Sequence, residues 1–167
     1  LPRTISVHDG WISFTSAKTG ASYDASSIAA LATCDQKTGA VAAKGRLDTG
    51  KEGVTFDVAL GDAYAAAAGG SSTLKAGFEA RPARARIEGT ALFASLAEFS
   101  GDLSASSGSL FDLMRWMGAE TTASGDPFKA SLNGKIKATT RDVAFTETDV
   151  LVNASASRFE GRVDFAG

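Results

Sequence analysis

Asn133-Gly134-Lys135-Ile136-Lys137-Ala138 decides the fold class, because a glycine is followed by apolar and charged residues in alternation. A period of two sends successive side chains to opposite sides of an extended chain, leaving one dry face and one wet face. Close copies are Gly45-Arg46-Leu47-Asp48, Gly101-Asp102-Leu103-Ser104-Ala105 and Gly161-Arg162-Val163-Asp164-Phe165. Looser ones are Gly10-Trp11-Ile12-Ser13-Phe14, Gly53-Val54-Thr55-Phe56-Asp57-Val58 and Gly89-Thr90-Ala91-Leu92-Phe93. These residues specify a β-sheet and no chemistry.

Working outward, Val54 to Leu60 is the cleanest strand, with Val54, Phe56, Val58 and Leu60 on one side and Thr55, Asp57 and Ala59 on the other. Thr4 to His8 and Trp11 to Thr15 suggest a hairpin turning at Asp9-Gly10, a pair that tolerates positive φ. Ser22 to Cys34 alternates as a strand at Ile28, Ala30, Ala32 and Cys34, although Ser26 and Ser27 could cap a short helix. The Thr38-Gly39 turn, with the next strand at Ala40 to Leu47, favours the strand. Further strands are expected at Leu74 to Ala80, Arg84 to Phe93, Ser95 to Ala105 and Phe128 to Ala138. Three more follow at Asp142 to Thr146, Asp149 to Ser155 and Arg158 to Phe165. Gly61 to Ser72 reads as a mobile loop with room for one helical turn.

One helix stands out at Leu110 to Met117. Ser109 is a natural N-cap, Asp112 suits the positive end, and Gly118 supplies the left-handed residue that stops it. Leu110, Leu113, Met114 and Met117 form one apolar stripe, so this short helix is expected to dock as a cap over the sheet. The expected fold is therefore mainly β. It is a curved antiparallel sheet of about ten strands, either a groove or a folded-over sandwich, in one domain spanning 1–167. The spacing of Gly45, Gly89 and Gly134 hints at stacked similar units.

Seventeen basic and nineteen acidic residues are interspersed, which argues against the clustered charge of a nucleic-acid footprint. Arg81-Pro82-Ala83-Arg84-Ala85-Arg86 reads as the solvated side of a strand. Cys34 is the sole cysteine, so it can form no internal disulfide or thiolate cluster, and His8 is the sole histidine. Asp24, Asp35, Glu98, Asp112 and Asp126 read as turn and cap carboxylates. No phosphate loop or nucleophile motif occurs, so neither catalysis nor a cofactor is expected. No apolar run is long enough to span a bilayer. The opening Leu1-Pro2-Arg3, without Met or leader pattern, suggests a fragment or processed product.

The opening Leu1 to Phe14 with Lys18-Thr19-Gly20 resembles the AsmA family of Gram-negative envelope proteins. So do the Gly-led strands and Gly108-Ser109-Leu110-Phe111-Asp112-Leu113-Met114-Arg115-Trp116-Met117-Gly118. Ser16 departs from the pattern, in which an acidic residue often follows the second strand. The resemblance implies a large parent with an inner-membrane helix and a long periplasmic β-rich body, of which this chain is a section. It also implies outer-membrane biogenesis and phospholipid transport, with an apolar trough sheltering acyl chains beside neighbouring segments of the parent. The residues expected to face the lipid are Val54, Phe56, Val58, Leu60, Ile87, Leu132, Ile136, Val163 and Phe165. Two other classes stay open: a structural or adhesive β-module with a sealed core, and a carbohydrate-active β-fold.

Overall fold

The computed structural model describes residues 3–15, 22–94, 97–119 and 128–164. Ten strands follow in chain order: β1 Thr4–Thr15, β2 Ser22–Cys34, β3 Val41–Asp48, β4 Gly53–Leu60, β5 Ser71–Ala80, β6 Arg84–Leu92, β7 Glu98–Ser107, β8 Ala130–Thr139, β9 Asp142–Val152 and β10 Ser155–Asp164. Each pairs antiparallel with its neighbour in sequence, in the order β1 to β10. The sheet is mainly β, ten-stranded and open, because β1 and β10 do not meet. Hairpin loops cause this simple order by returning the chain directly beside the strand it has left. The Gly45, Gly89 and Gly134 spacing thus belongs to one continuous meander, and not to stacked units.

Two strands, β1 and β9, differ from the expected boundaries, and β2 keeps its expected bounds, Ser22–Cys34, around an irregularity of the same kind. Asp9 (φ 53), Ser27 (φ 50) and Glu147 (φ 49) adopt left-handed backbone inside strands. The register slips beside each of them. Each marks a bulge, in which an extra residue bends the strand without reversing it. The Asp9-Gly10 turn is therefore a bulge within β1, and the two segments expected on either side of Thr146 to Asp149 are one strand, β9. The chain turns instead at Asn153-Ala154. The expected turn at Thr19-Gly20, the strand start at Ser95, and Asp126 lie outside the described residues.

Two short helices sit at opposite ends of the strands. The first, α1 (Ala63–Ala67), replaces much of the expected loop between β4 and β5, and Ser71 and Ser72 already belong to β5. Asp62 caps α1 by accepting hydrogen bonds from the backbone N–H groups of Tyr64 and Ala65, both at 2.9 Å. The Tyr64 hydroxyl donates to the Gln36 carbonyl. Gly39 (φ 72) lies beneath that ring, where a Cβ would stand 2.7 Å from Tyr64 Cδ2.

The second helix, α2 (Leu110–Trp116), starts at Ser109 as expected. The Ser109 hydroxyl accepts from the Asp112 N–H at 3.2 Å, and Gly118 has φ 92. Its docking differs from the expected stripe. Leu110 and Leu113 are half-buried, but Met114 is 40% and Met117 67% exposed. Aromatic residues make the attachment instead. The rings of Phe111 and Phe128 meet edge-to-face at 5.5 Å, and Trp116 lies 6.4 Å from Phe78. Lys51 Nζ also donates to the Trp116 carbonyl.

Candidate functional site: an uncovered apolar sheet face

Residues directly opposite in an antiparallel pair share a face, so the register sorts every strand. Leu47, Gly45, Ala43 and Val41 of β3 stand opposite Val54, Phe56, Val58 and Leu60 of β4, which in turn face Ala80, Phe78, Ala76 and Leu74 of β5. The same face continues through Ile87 and Leu103, then Ile136 and Phe145, and reaches Val163 opposite Val143. The other face carries Lys44, Asp57, Lys75, Glu88, Asp102 and Lys135 in successive strands.

Eight of the residues expected to line the apolar surface, Val54, Phe56, Val58, Leu60, Ile87, Leu132, Ile136 and Val163, therefore share one side of the sheet. Phe165 lies outside the described residues. The sequence reading missed Ile5, Val7 and Ile12 of β1, which join the same side through Ala32, Ala30 and Ala25. The bulge in β1 flips its parity, which hid them from a strict period-two count.

Five of the module glycines lie on this side too, opposite large partners: Gly45 with Phe56, Gly89 with Leu74, Gly101 with Ile136, Gly134 with Leu103 and Gly161 with Phe145, whereas Gly53 stands opposite Asp48 on the polar side. Gly89 and Gly101 also face each other, and a Cβ on either would stand 2.6 Å from the other's Cα. Opposed Cβ atoms ordinarily stand about 4.5–5.5 Å apart. The strands are thus crowded at this pair, too close for a side chain on either glycine. Gly134 against Thr148 repeats the arrangement, with 2.6 Å to the Thr148 Cα.

Apart from the Trp116 end of α2 against Phe78, nothing covers this face among the described residues. Among the described residues only Val54, Ala80 and Ala91 are buried apolar residues, whereas Val58 is 39% and Val163 49% exposed. The chain presents 11022 Å² of accessible surface. A compact protein of this size would present roughly 7,700 Å². Among the described residues the sheet is neither closed nor folded over into a sandwich.

The polar face is neutralised locally. Lys135 pairs with Glu147 at 2.8 Å, Arg158 with Asp149 at 3.1 Å, and Lys75 with Glu88. The Lys75 ammonium bonds Glu88 and holds its carboxyl below the usual range, as Lys135 does for Glu147. An open hollow of about 470 Å³ on this face is bordered by Asp57, Glu79, Arg84, Arg86, Ser104 and Asn133. Its two arginines are matched by two acids, and Arg84 Nε donates to Ser106 Oγ at 2.9 Å. His8 is exposed beside the β1 bulge, and Cys34 is half-buried on the apolar side. Asp24 lies within β2 rather than in a turn, while Asp35 sits in the β2–β3 loop and accepts from the Lys37 N–H at 2.8 Å. Among the described residues no group of acidic, histidine or cysteine side chains could hold a metal, and no helix is long and apolar enough to cross a membrane. No protein-family model, curated protein or solved structure matches the chain.

Proposed function

We propose that this chain is a non-enzymatic section of an AsmA-like envelope protein whose apolar sheet face shelters phospholipid acyl chains in the periplasm, beside neighbouring segments of its parent. The observation that carries the reading is the apolar face left open along most of the sheet, crowded at its glycines and backed by a face of paired charges. Each methylene moved from water onto such a surface gains roughly 0.8 kcal/mol, so acyl chains can be held without any specific polar contact. Passive shelter of this kind calls for no catalytic group and no cofactor.

Val58 is the place to test it. It lies mid-strand between Ala43 and Ala76 and is 39% exposed, so a carboxylate there reaches water and leaves the fold intact. The wild-type chain, purified from cells, is expected to carry phospholipid detectable by mass spectrometry, and Val58→Asp to lose most of it. A lipid-free wild-type chain that also takes up no fluorescent phospholipid from vesicles would overturn the reading. A second reading, a structural module whose apolar face is covered by another polypeptide, is favoured by the same exposure. It would show as a protein partner protecting Val58 in place of lipid.

A further inference from the structure

The two edges of the sheet differ. β1 is interrupted by the bulge at Asp9, a device that blunts edge pairing. At the other edge the extra residues belong to β9: Phe159 stands opposite Thr148 and Gly161 opposite Phe145. β10 itself thus remains a regular ten-residue strand without proline. Nothing among the described residues pairs with its outer side. Phe159 is 46% exposed there.

The sequence of this edge is antisymmetric in charge about one residue. Reading Arg158-Phe159-Glu160-Gly161-Arg162-Val163-Asp164 outward from Gly161, Glu160 mirrors Arg162, Phe159 mirrors Val163, and Arg158 mirrors Asp164. We propose that β10 pairs antiparallel with β10 of a second copy of this chain, around a two-fold axis passing between the two Gly161 residues.

In that register every charged residue of the edge meets an opposite charge on the polar face. On the apolar face, Phe159 meets Val163 of the second copy. A two-fold axis perpendicular to the sheet keeps like faces on the same side, so the apolar surfaces of both copies join. Competing registers are penalised. Moving the axis to Glu160 sets Arg158 against Arg162 and Glu160 against itself. Moving it to Arg162 sets Glu160 against Asp164. In-register parallel pairing stacks like on like throughout. Like charges directly opposite are destabilising, and an axis at Phe159 or Val163 keeps only one kind of opposite-charge pair (Arg158 with Glu160, or Arg162 with Asp164), so the Gly161 register makes the most favourable contacts. Arg158 already bonds Asp149 at 3.1 Å, and Arg162 Nε bonds both Asp142 and Asp164 at 3.0 Å. A guanidinium has five N–H donors, so Arg158 and Arg162 can each serve a further carboxylate, and Asp164 has a second oxygen to accept from the other copy.

One strand edge buries little area, so a weak, concentration-dependent dimer is expected. Sedimentation of the full 167-residue chain tests this. The wild type should pass from monomer to dimer as concentration rises. Glu160→Arg and Arg162→Glu, both on the exposed edge, should each weaken dimerisation at least tenfold, and the double exchange E160R/R162E should restore it. In the wild type, β10 amides should gain hydrogen-exchange protection over the same concentration range. A chain that stays monomeric throughout, or single variants that dimerise like the wild type, would overturn the proposal. Neither result bears on lipid binding, which the Val58 experiment reads separately.

Discussion

Replacing Gly89 with alanine tests the crowding on the apolar side directly. The new Cβ would stand 2.6 Å from the Gly101 Cα, and the nearest atoms are backbone, which cannot rotate away as a side chain could. Reaching ordinary carbon–carbon contact at about 3.5 Å requires β6 and β7 to separate by roughly 1 Å. Overpacking of this kind costs about 1–3 kcal/mol. For a chain of this length each kcal/mol shifts Tm by about 2–4 °C, so Gly89→Ala should melt roughly 5 °C below wild type. Gly53 is the control. It lies at the start of β4 without positive φ, and nothing stands within 4 Å of its hypothetical Cβ. Gly53→Ala should raise stability by about 0.4–1 kcal/mol, because it restricts only the unfolded chain. Thermal unfolding followed by circular dichroism measures both. Equal melting of Gly89→Ala and Gly53→Ala would refute the claim that β6 and β7 leave no room for a side chain at Gly89.

Asp62→Ala removes both hydrogen bonds that start α1 and should cost about 1 kcal/mol, seen as a lower denaturant midpoint with unchanged m-value. An unchanged midpoint would mean that α1 is held by Tyr64 alone. Glu88 and Glu147 have native pKa values below the ordinary 4.5, caused first by hydrogen bonds from Lys75 and Lys135. Groups depressed in this way stabilise the fold above the unfolded value, and that stability is lost as pH falls through the native one. Stability should therefore decline below about pH 4.5, and less steeply in a Lys75→Met, Lys135→Met variant. The same slope in both chains would show that other carboxylates govern acid unfolding.

Alternation made the architecture legible. In Val54 to Leu60 or Arg158 to Val163, each side chain's face follows from position alone, and the structure keeps those assignments. Where the reading failed, the local signal was sound but had two structural solutions. Asp9-Gly10 announces positive φ, which serves a hairpin turn or a bulge equally well; only the length of β2, which pairs along all of β1, selects the bulge. In α2 the stripe Leu110, Leu113, Met114, Met117 was regular, yet rings at Phe111 and Trp116 found partners at Phe128 and Phe78 that lie far away in sequence. Helical spacing cannot reveal such partners. In β1, Ile5, Val7 and Ile12 escaped because the bulge shifts their parity. The uncovered state of the apolar face was equally out of reach, since alternation looks the same beneath a second sheet as beneath solvent.

A meander in which every strand leans only on its chain neighbours has no keystone. Its contacts are local, which favours rapid zipping from any hairpin and lets either end fray without undoing the middle. Nor is its length fixed by closure, as a barrel's is. One more hairpin spliced between two strands would leave the sidedness of all the others unchanged, so the protein can grow or shrink in pairs of strands while keeping a single oily side.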